Sequence, residues 1–281
     1  MRKITLACLM SLFMWQSLQA ADFSIKATGG FKYSLFKDVN SGIMGYLGVW
    51  ADGLTSSGGI VTDRTEPLHF CSDYSVDFIL SLDSPYGLAL GVGYVRAKNR
   101  SEIFVRYSDG RPETSALVET TIEAVPIRLS VFRDFQLTRA LNAYIMGGLE
   151  IYPTQFQSSS WPAGPGDSHR QKARSVGIGL LYGAGLEIKI LAHVALVLEA
   201  QGNYARIANL KGTRKSGGSS LPHEVKGTLY YDELTFYFPP DIQKTYAQLM
   251  ISESMPSGDR ARPGRVNFSG FALSGGIRIY L

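Results

Sequence analysis

Beyond its N-terminus the sequence has no run of about 18 consecutive apolar residues, so no membrane-crossing helix is expected there. Cysteine is nearly absent, with Cys8 and Cys71 the only two in 281 residues. If Cys8 leaves with an N-terminal leader, Cys71 stands alone; no intrachain disulfide can form, and the thiol reads as incidental, near the start of a strand. Charge is sparse, with Asp, Glu, Lys and Arg making up 19% and a formal net charge of +4. This balance gives no reason to expect a nucleic-acid partner. Familiar chemical fingerprints are missing as well. His69, His169, His193 and His223 fall at no metal-ligand spacing, and no GxSxG, phosphate-loop or dinucleotide pattern occurs. No cofactor is therefore expected. An enzyme would have to assemble its groups at a rim from separate loops, with His169 near Ser168 and Asp167, or His223 beside Glu224, as nominal candidates. The expectation is a non-enzymatic protein.

Glycine and aromatic residues are plentiful, with 30 Gly, 14 Phe and 15 Tyr, a composition that suits a sheet with tight turns and aromatic anchors. The N-terminus reads MRKITLACLMSLFMWQSLQA. Arg2 and Lys3 precede a short apolar stretch and a small-residue exit, which is the pattern of a cleaved secretory signal over residues 1–20 rather than of a membrane anchor. Residues 21–281 then form one domain.

Through that domain, segments of about ten residues alternate apolar and polar, placing each set on its own face of a strand. Eight such segments are expected, at about 23–36, 73–82, 86–96, 125–133, 141–155, 176–190, 194–207 and 266–281. Pro126 cannot donate a ladder hydrogen bond, so a bulge or local irregularity is expected there. Short connections near 83–85, 134–140 and 191–193 alternate with long ones at about 37–72, 97–119, 156–175 and 208–265. The predicted fold class is all-β: an eight-stranded antiparallel up-and-down transmembrane β-barrel, with four long loops on one side and short turns on the other. In the last loop, 227–238 could form an extra hairpin arm, or two further membrane strands that would make ten, and 242–251 a short helix.

Eight strands enclose a space only wide enough for side chains. The face rich in Gly, Ala and charge fits that interior; the Leu, Ile, Val, Phe and Tyr face fits lipid. The alternative, a soluble barrel with its apolar face inward, would leave an oddly depleted exterior. The inward charges are Lys26, Lys32, Asp77, Arg128, Glu150, Glu187, Glu199 and Arg278, four of each sign. Lys26, Asp77, Arg128, Glu187, Glu199 and Arg278 fall at similar depth. Matched signs in a confined lumen predict a salt-bridged plug, as opposed to scattered charges in a wet channel.

The last residues, SGGIRIYL, alternate to the final position, as a strand closing a barrel seam would. They resemble the C-terminal assembly signal of bacterial outer-membrane barrels, with Ser274, Gly276, Ile279 and Leu281 at the patterned positions; Leu281 departs from the usual aromatic ending. With VGIGLLYGAGLEIKI at 176–190 and ALVLEAQGNYA at 195–205, the chain resembles the small eight-stranded outer-membrane barrel family, the opacity-protein and OmpA/OmpX-like group. The resemblance implies an outer-membrane location in a Gram-negative-type bacterium. The partners it implies are the barrel-assembly machinery and outer-membrane lipid, including lipopolysaccharide. It leaves function open among structural component, adhesin, small-molecule conduit and, rarely, lipid enzyme.

Basic residues flank the long loops: Arg170, Lys172 and Arg174 in the third, and Lys211, Arg214, Lys215, Arg260, Arg262 and Arg265 around the last. Converging at one rim, they would contact lipopolysaccharide phosphates or another polyanion; otherwise they are solvated loop charge. Tyr230, Tyr231, Phe236, Tyr237 and Phe238 are either a binding surface or loop packing. The leading expectation is a structural or surface-binding barrel; the alternatives are a small-solute or hydrophobic-molecule conduit and, remotely, a rim-sited lipid-modifying enzyme.

Overall fold

The computed structural model describes residues 22–82, 85–109, 113–162, 168–217, 223–239, 242–258 and 260–281. The expected signal segment, 1–20, lies outside them, as do residues 83–84 of the first expected tight turn.

The described residues form fifteen strands and one helix, with β1 (Asp22–Ser34), helix α1 (Lys37–Ser56), β2 (Gly59–Arg64), β3 (Phe70–Ser81), β4 (Tyr86–Tyr107), β5 (Thr114–Ala124), β6 (Ile127–Gln136) and β7 (Leu141–Trp161) in the first part. There follow β8 (Ser168–Leu191), β9 (Val194–Ile207), β10 (Lys211–Gly217), β11 (His223–Phe238), β12 (Ile242–Ser252), β13 (Arg262–Pro263), β14 (Val266–Asn267) and β15 (Gly270–Tyr280). Eight of these close a ring in the order β1, β3, β4, β6, β7, β8, β9, β15 and back to β1, with every pairing antiparallel. The seam joins Ser24 to Tyr280 through Ser34 to Gly270, so neither β1 nor β15 keeps a free edge.

One register row of outward side chains, Phe78, Leu90, Leu129, Leu149 and Leu180, is 53% to 59% exposed. Apolar chains on that scale around a closed ring make the exterior a lipid-facing one, and the fold a transmembrane up-and-down barrel. An apolar-inward soluble barrel does not describe this half of the molecule.

Pro126 interrupts the ladder between β5 and β6 without shifting it: Ala124 faces Val95 and Ile127 faces Val92, the same offset on either side. The irregularity is a missing donor, not a bulge.

The long connections are where the structure departs from the sequence reading. Three of them are largely strand. β4 runs on to Tyr107, β7 to Trp161, and β8 begins at Ser168. Above the ring these extensions join β2, β5, β10, β11 and β12 in a curled wall with the order β2, β4, β5, β7, β8, β10, β11, β12. Residues 227–238 do form an arm, lying within β11, whereas 242–251 is not a helix. It is β12, held extended by pairing from Thr228↔Ser252 to Phe238↔Ile242.

The first long connection contains α1, which bridges the two edges of the wall, packing on β12 and β2. The helix carries four glycines, at 42, 45, 48 and 53, and has little helicity of its own. Packing holds it. At Gly45 the approach to β12 is so close that a Cβ would lie 1.8 Å from the Ala247 carbonyl oxygen. Val39, Ile43 and Leu47 enter a core with Phe156, Ile207, Leu229, Ile251 and Phe268. The Asn40 side chain brackets the Leu68 backbone, donating to its carbonyl at 3.0 Å and accepting from its N–H at 2.8 Å.

Candidate functional site

Two places concentrate polar chemistry, the lumen of the ring and the walled domain above it. In the lumen, all eight inward charges are at most 4% exposed. Lys26 Nζ lies 2.5 Å from Glu199 Oε2 and 3.3 Å from Asp77 Oδ2. Arg278 Nη1 meets Glu187 Oε1 at 2.8 Å, while its other nitrogens donate to Ser24 Oγ at 2.8 Å and Ser81 Oγ at 3.2 Å. Its guanidinium sits between the rings of Tyr280 and Phe132, at 4.9 and 5.6 Å. Arg128 Nε is 3.5 Å from Glu150 Oε1. Glu150, which the depth argument left outside the layer, is therefore Arg128's partner. Lys32 sits higher, its Nζ 3.5 Å from the Tyr152 hydroxyl and 5.8 Å from the Phe268 ring centre.

Register explains this convergence. Arg278, Lys26 and Asp77 face one another on β15, β1 and β3, and Asp77 faces Arg128 across Gly91. Each of the three glutamates also accepts from neutral side chains that share its face. Glu199 takes Tyr144 and Gln201; Glu150 takes Asn203 at 2.7 Å and Tyr152; Glu187 takes Tyr280 at 2.8 Å. The sequence reading missed these five partners, although their even-odd placement puts Tyr144 and Tyr152 with Glu150, and Gln201 and Asn203 with Glu199. The void left among Lys26, Asp77, Arg128, Glu187 and Arg278 is about 20 Å³, space for about one water.

Above the ring, β8 and β10 present basic residues outward in register: Lys211 faces Arg174, and Lys215 faces Arg170, with Lys172 between them opposite Thr213. Lys226 follows on β11. Like charges directly opposite on a sheet are destabilising unless something neutralises them. The protein supplies Glu224, 3.2 Å from Lys215, and a neutral Gln155 that accepts from Arg174 Nε at 2.9 Å.

The remaining basic candidates do not join this strip. Arg214 has the opposite parity and points to the inner face, opposite Gln171. Arg260 pairs with Glu233 at 2.7 Å. Arg262 grips Asp38, in the first turn of α1, through two hydrogen bonds of 2.6 and 2.7 Å and covers the Tyr231 ring at 4.3 Å. Those bonds to Asp38 raise the Arg262 pKa. The Arg265 N–H adds a third bond to Asp38, at 3.0 Å. The idea that all nine converge at one rim is thus corrected: they divide between an outer strip, an inner arginine, an ion pair of Arg260 with Glu233 on β11, and the fastening of the helix. Most of the candidate aromatic surface packs the domain, with Phe236 and Phe238 against Tyr246; Tyr237 is 75% exposed.

The assembly-signal residues lie on β15 and at its end. Ser274 is buried opposite Gly30, Gly276 faces Thr28, and Ile279 and Leu281 point outward. Cys71 is a buried free thiol. Among the described residues no group of three or more His, Cys, Asp or Glu is placed to hold a metal ion.

No protein-family model matches the chain, and no curated protein does. Among solved structures it is similar to the outer membrane protein OprG from Pseudomonas aeruginosa, with a TM-score of 0.37 and 11% identity over 93% of this chain and 96% of that one. That likeness is too distant to assign an activity.

Proposed function

We propose that the protein is a bacterial outer-membrane barrel that seals the membrane and acts by binding, through the domain it holds outside the cell. The observation that carries this is the filled lumen, where paired charges leave only about 20 Å³ between them. Ionic groups so confined are tolerable only when paired and hydrogen-bonded, and their mutual attraction opposes the entry of water or solute. The outward apolar row and the closed seam support the membrane location. The basic strip on β8 and β10 lies directly above outward Val176 and Ile178, the height at which lipid phosphates meet an embedded barrel. Lipopolysaccharide is accordingly the proposed partner of the strip. A conduit for small or hydrophobic molecules would need a path past Arg278 and Lys26.

Planar-bilayer recording of the refolded protein tests the seal, with no stable channels expected; channels of appreciable conductance would overturn it. The strip is tested by replacing Arg174 and Lys211 with Glu and measuring binding of the nanodisc-embedded protein to lipopolysaccharide. A loss of about tenfold at low salt is expected, shrinking as salt is added. Unchanged binding would remove lipopolysaccharide phosphate as the partner.

A further inference from the structure

A second binding site is built inside the upper domain, on the opposite face of the wall from the basic strip. A partly enclosed cavity of about 210 Å³ lies between α1 and strands β5, β7, β8, β10 and β12. Its apolar side is made by Ile43, Val118, Phe156 and Leu249. An engineered apolar cavity of about 150 Å³ admits benzene, so this one has room for a slightly larger apolar body.

The polar side carries one unmatched charge. Thr120 and Ser158 are bonded to each other at 3.3 Å, and Ser160 bonds the Tyr46 hydroxyl, whose pKa is pushed up by burial. Gln171 is fastened to β12, donating to the Leu249 carbonyl at 3.2 Å and accepting from the Ile251 N–H at 2.9 Å. Arg214 lines the same cavity, and among the described residues no acidic side chain pairs with it. Burial lowers its pKa and no carboxylate restores it. The half-buried Arg214 guanidinium stands over the apolar chamber with no carboxylate beside it, and a planar anion is the group that matches its fork.

We propose that this cavity binds a small apolar monocarboxylate, its apolar body against Phe156 and Val118 and its carboxylate on Arg214. The single guanidinium, beside hydroxyls, amides and the His169 imidazole, suits one negative charge. This site is independent of the sealed lumen and of the outer strip, and would stand if either reading of those failed.

The test is calorimetric titration of the full refolded protein in nanodiscs with 4-phenylbutyrate and with its uncharged analogue 4-phenylbutan-1-ol. Wild type should bind the acid at least tenfold more tightly than the alcohol. Arg214→Gln should bring the acid to the affinity of the alcohol, Arg214→Lys should retain part of the preference, and Val118→Trp should abolish binding of both by filling the chamber. Equal affinity for acid and alcohol in wild type, binding of neither, or an Arg214→Gln variant that still prefers the acid would overturn the proposal. The wild-type comparison decides even if a variant fails to fold.

Discussion

The lower barrel and the upper domain are made from the same strands with opposite polarity. Along β4 the outward residues are Tyr86, Leu88, Leu90, Val92 and Tyr94, and then Arg96, Lys98, Arg100 and Glu102; the inward ones pass from Gly87, Ala89, Gly91 and Gly93 to Val95, Ala97, Ile103 and Val105. Strand β8 exchanges its faces between Arg174 and Val176. Below the exchange, apolar chains face outward and charges are buried; above it, the wall closes on an apolar core as a water-soluble domain would. One backbone serves both, because the solvent outside it changes partway along. The teaching is that hydrophobicity alone does not tell inside from outside in this protein; the height along the strand does.

The comparison can be broken at several points. The largest effect is expected for Arg278→Ala, which leaves Glu187 buried without its cation and should cost about 3–5 kcal/mol. Thermal unfolding in detergent micelles measures it, and a loss below ~1 kcal/mol would mean that the lumen pairs are not holding the lower barrel. Next is Leu180→Arg, which places a cation in the middle of the lipid-facing row and should cost about 2–4 kcal/mol in bilayer refolding titrations. Six residues earlier on the same face, Arg174 is already basic, and Arg174→Leu should change stability by less than ~0.5 kcal/mol. If the two substitutions had equal effects, the polarity exchange would be misplaced. A smaller effect than that of Leu180→Arg is expected for Gly45→Val, where the added carbons meet β12 backbone. Overpacking of about 1–3 kcal/mol should loosen α1 and admit protease to 37–56 while the ring stays intact. Cleavage of both halves together would show that they unfold as one unit.

Much of the ring was legible because a period of two survives wherever one face meets lipid. The strand extensions were not. After Tyr94 the apolar residues move from even to odd positions, and a phase change reads as the end of a strand although the backbone continues. Helix α1 left a usable signal in Val39, Ile43, Leu47, Trp50 and Leu54, three or four residues apart, but its glycines and its place between two strands made it look like loop. Residues 242–251 carry no decisive local preference, and β11 settles their state. Among the charges, sign and face were readable and partner was not, since Glu150 meets Arg128 through a register that only the assembled sheet defines. The even-odd rule could have separated Arg214 from Lys211 and Lys215, which share a short strand but not a face.

The helix also sets an order of assembly. It is synthesised directly after β1, yet its seat is β12, with Asp52 and Lys244 192 residues apart and Asp38 and Arg262 224 apart. A glycine-rich segment of this length gains little by coiling alone, so it stays unfinished until those distant partners are in place. Contacts over such distances close late and slowly. Only when the β11–β12 arm has arrived can the segment dock, and β15 follows that arm in the chain, so the docking partner is delivered before the last stave of the ring.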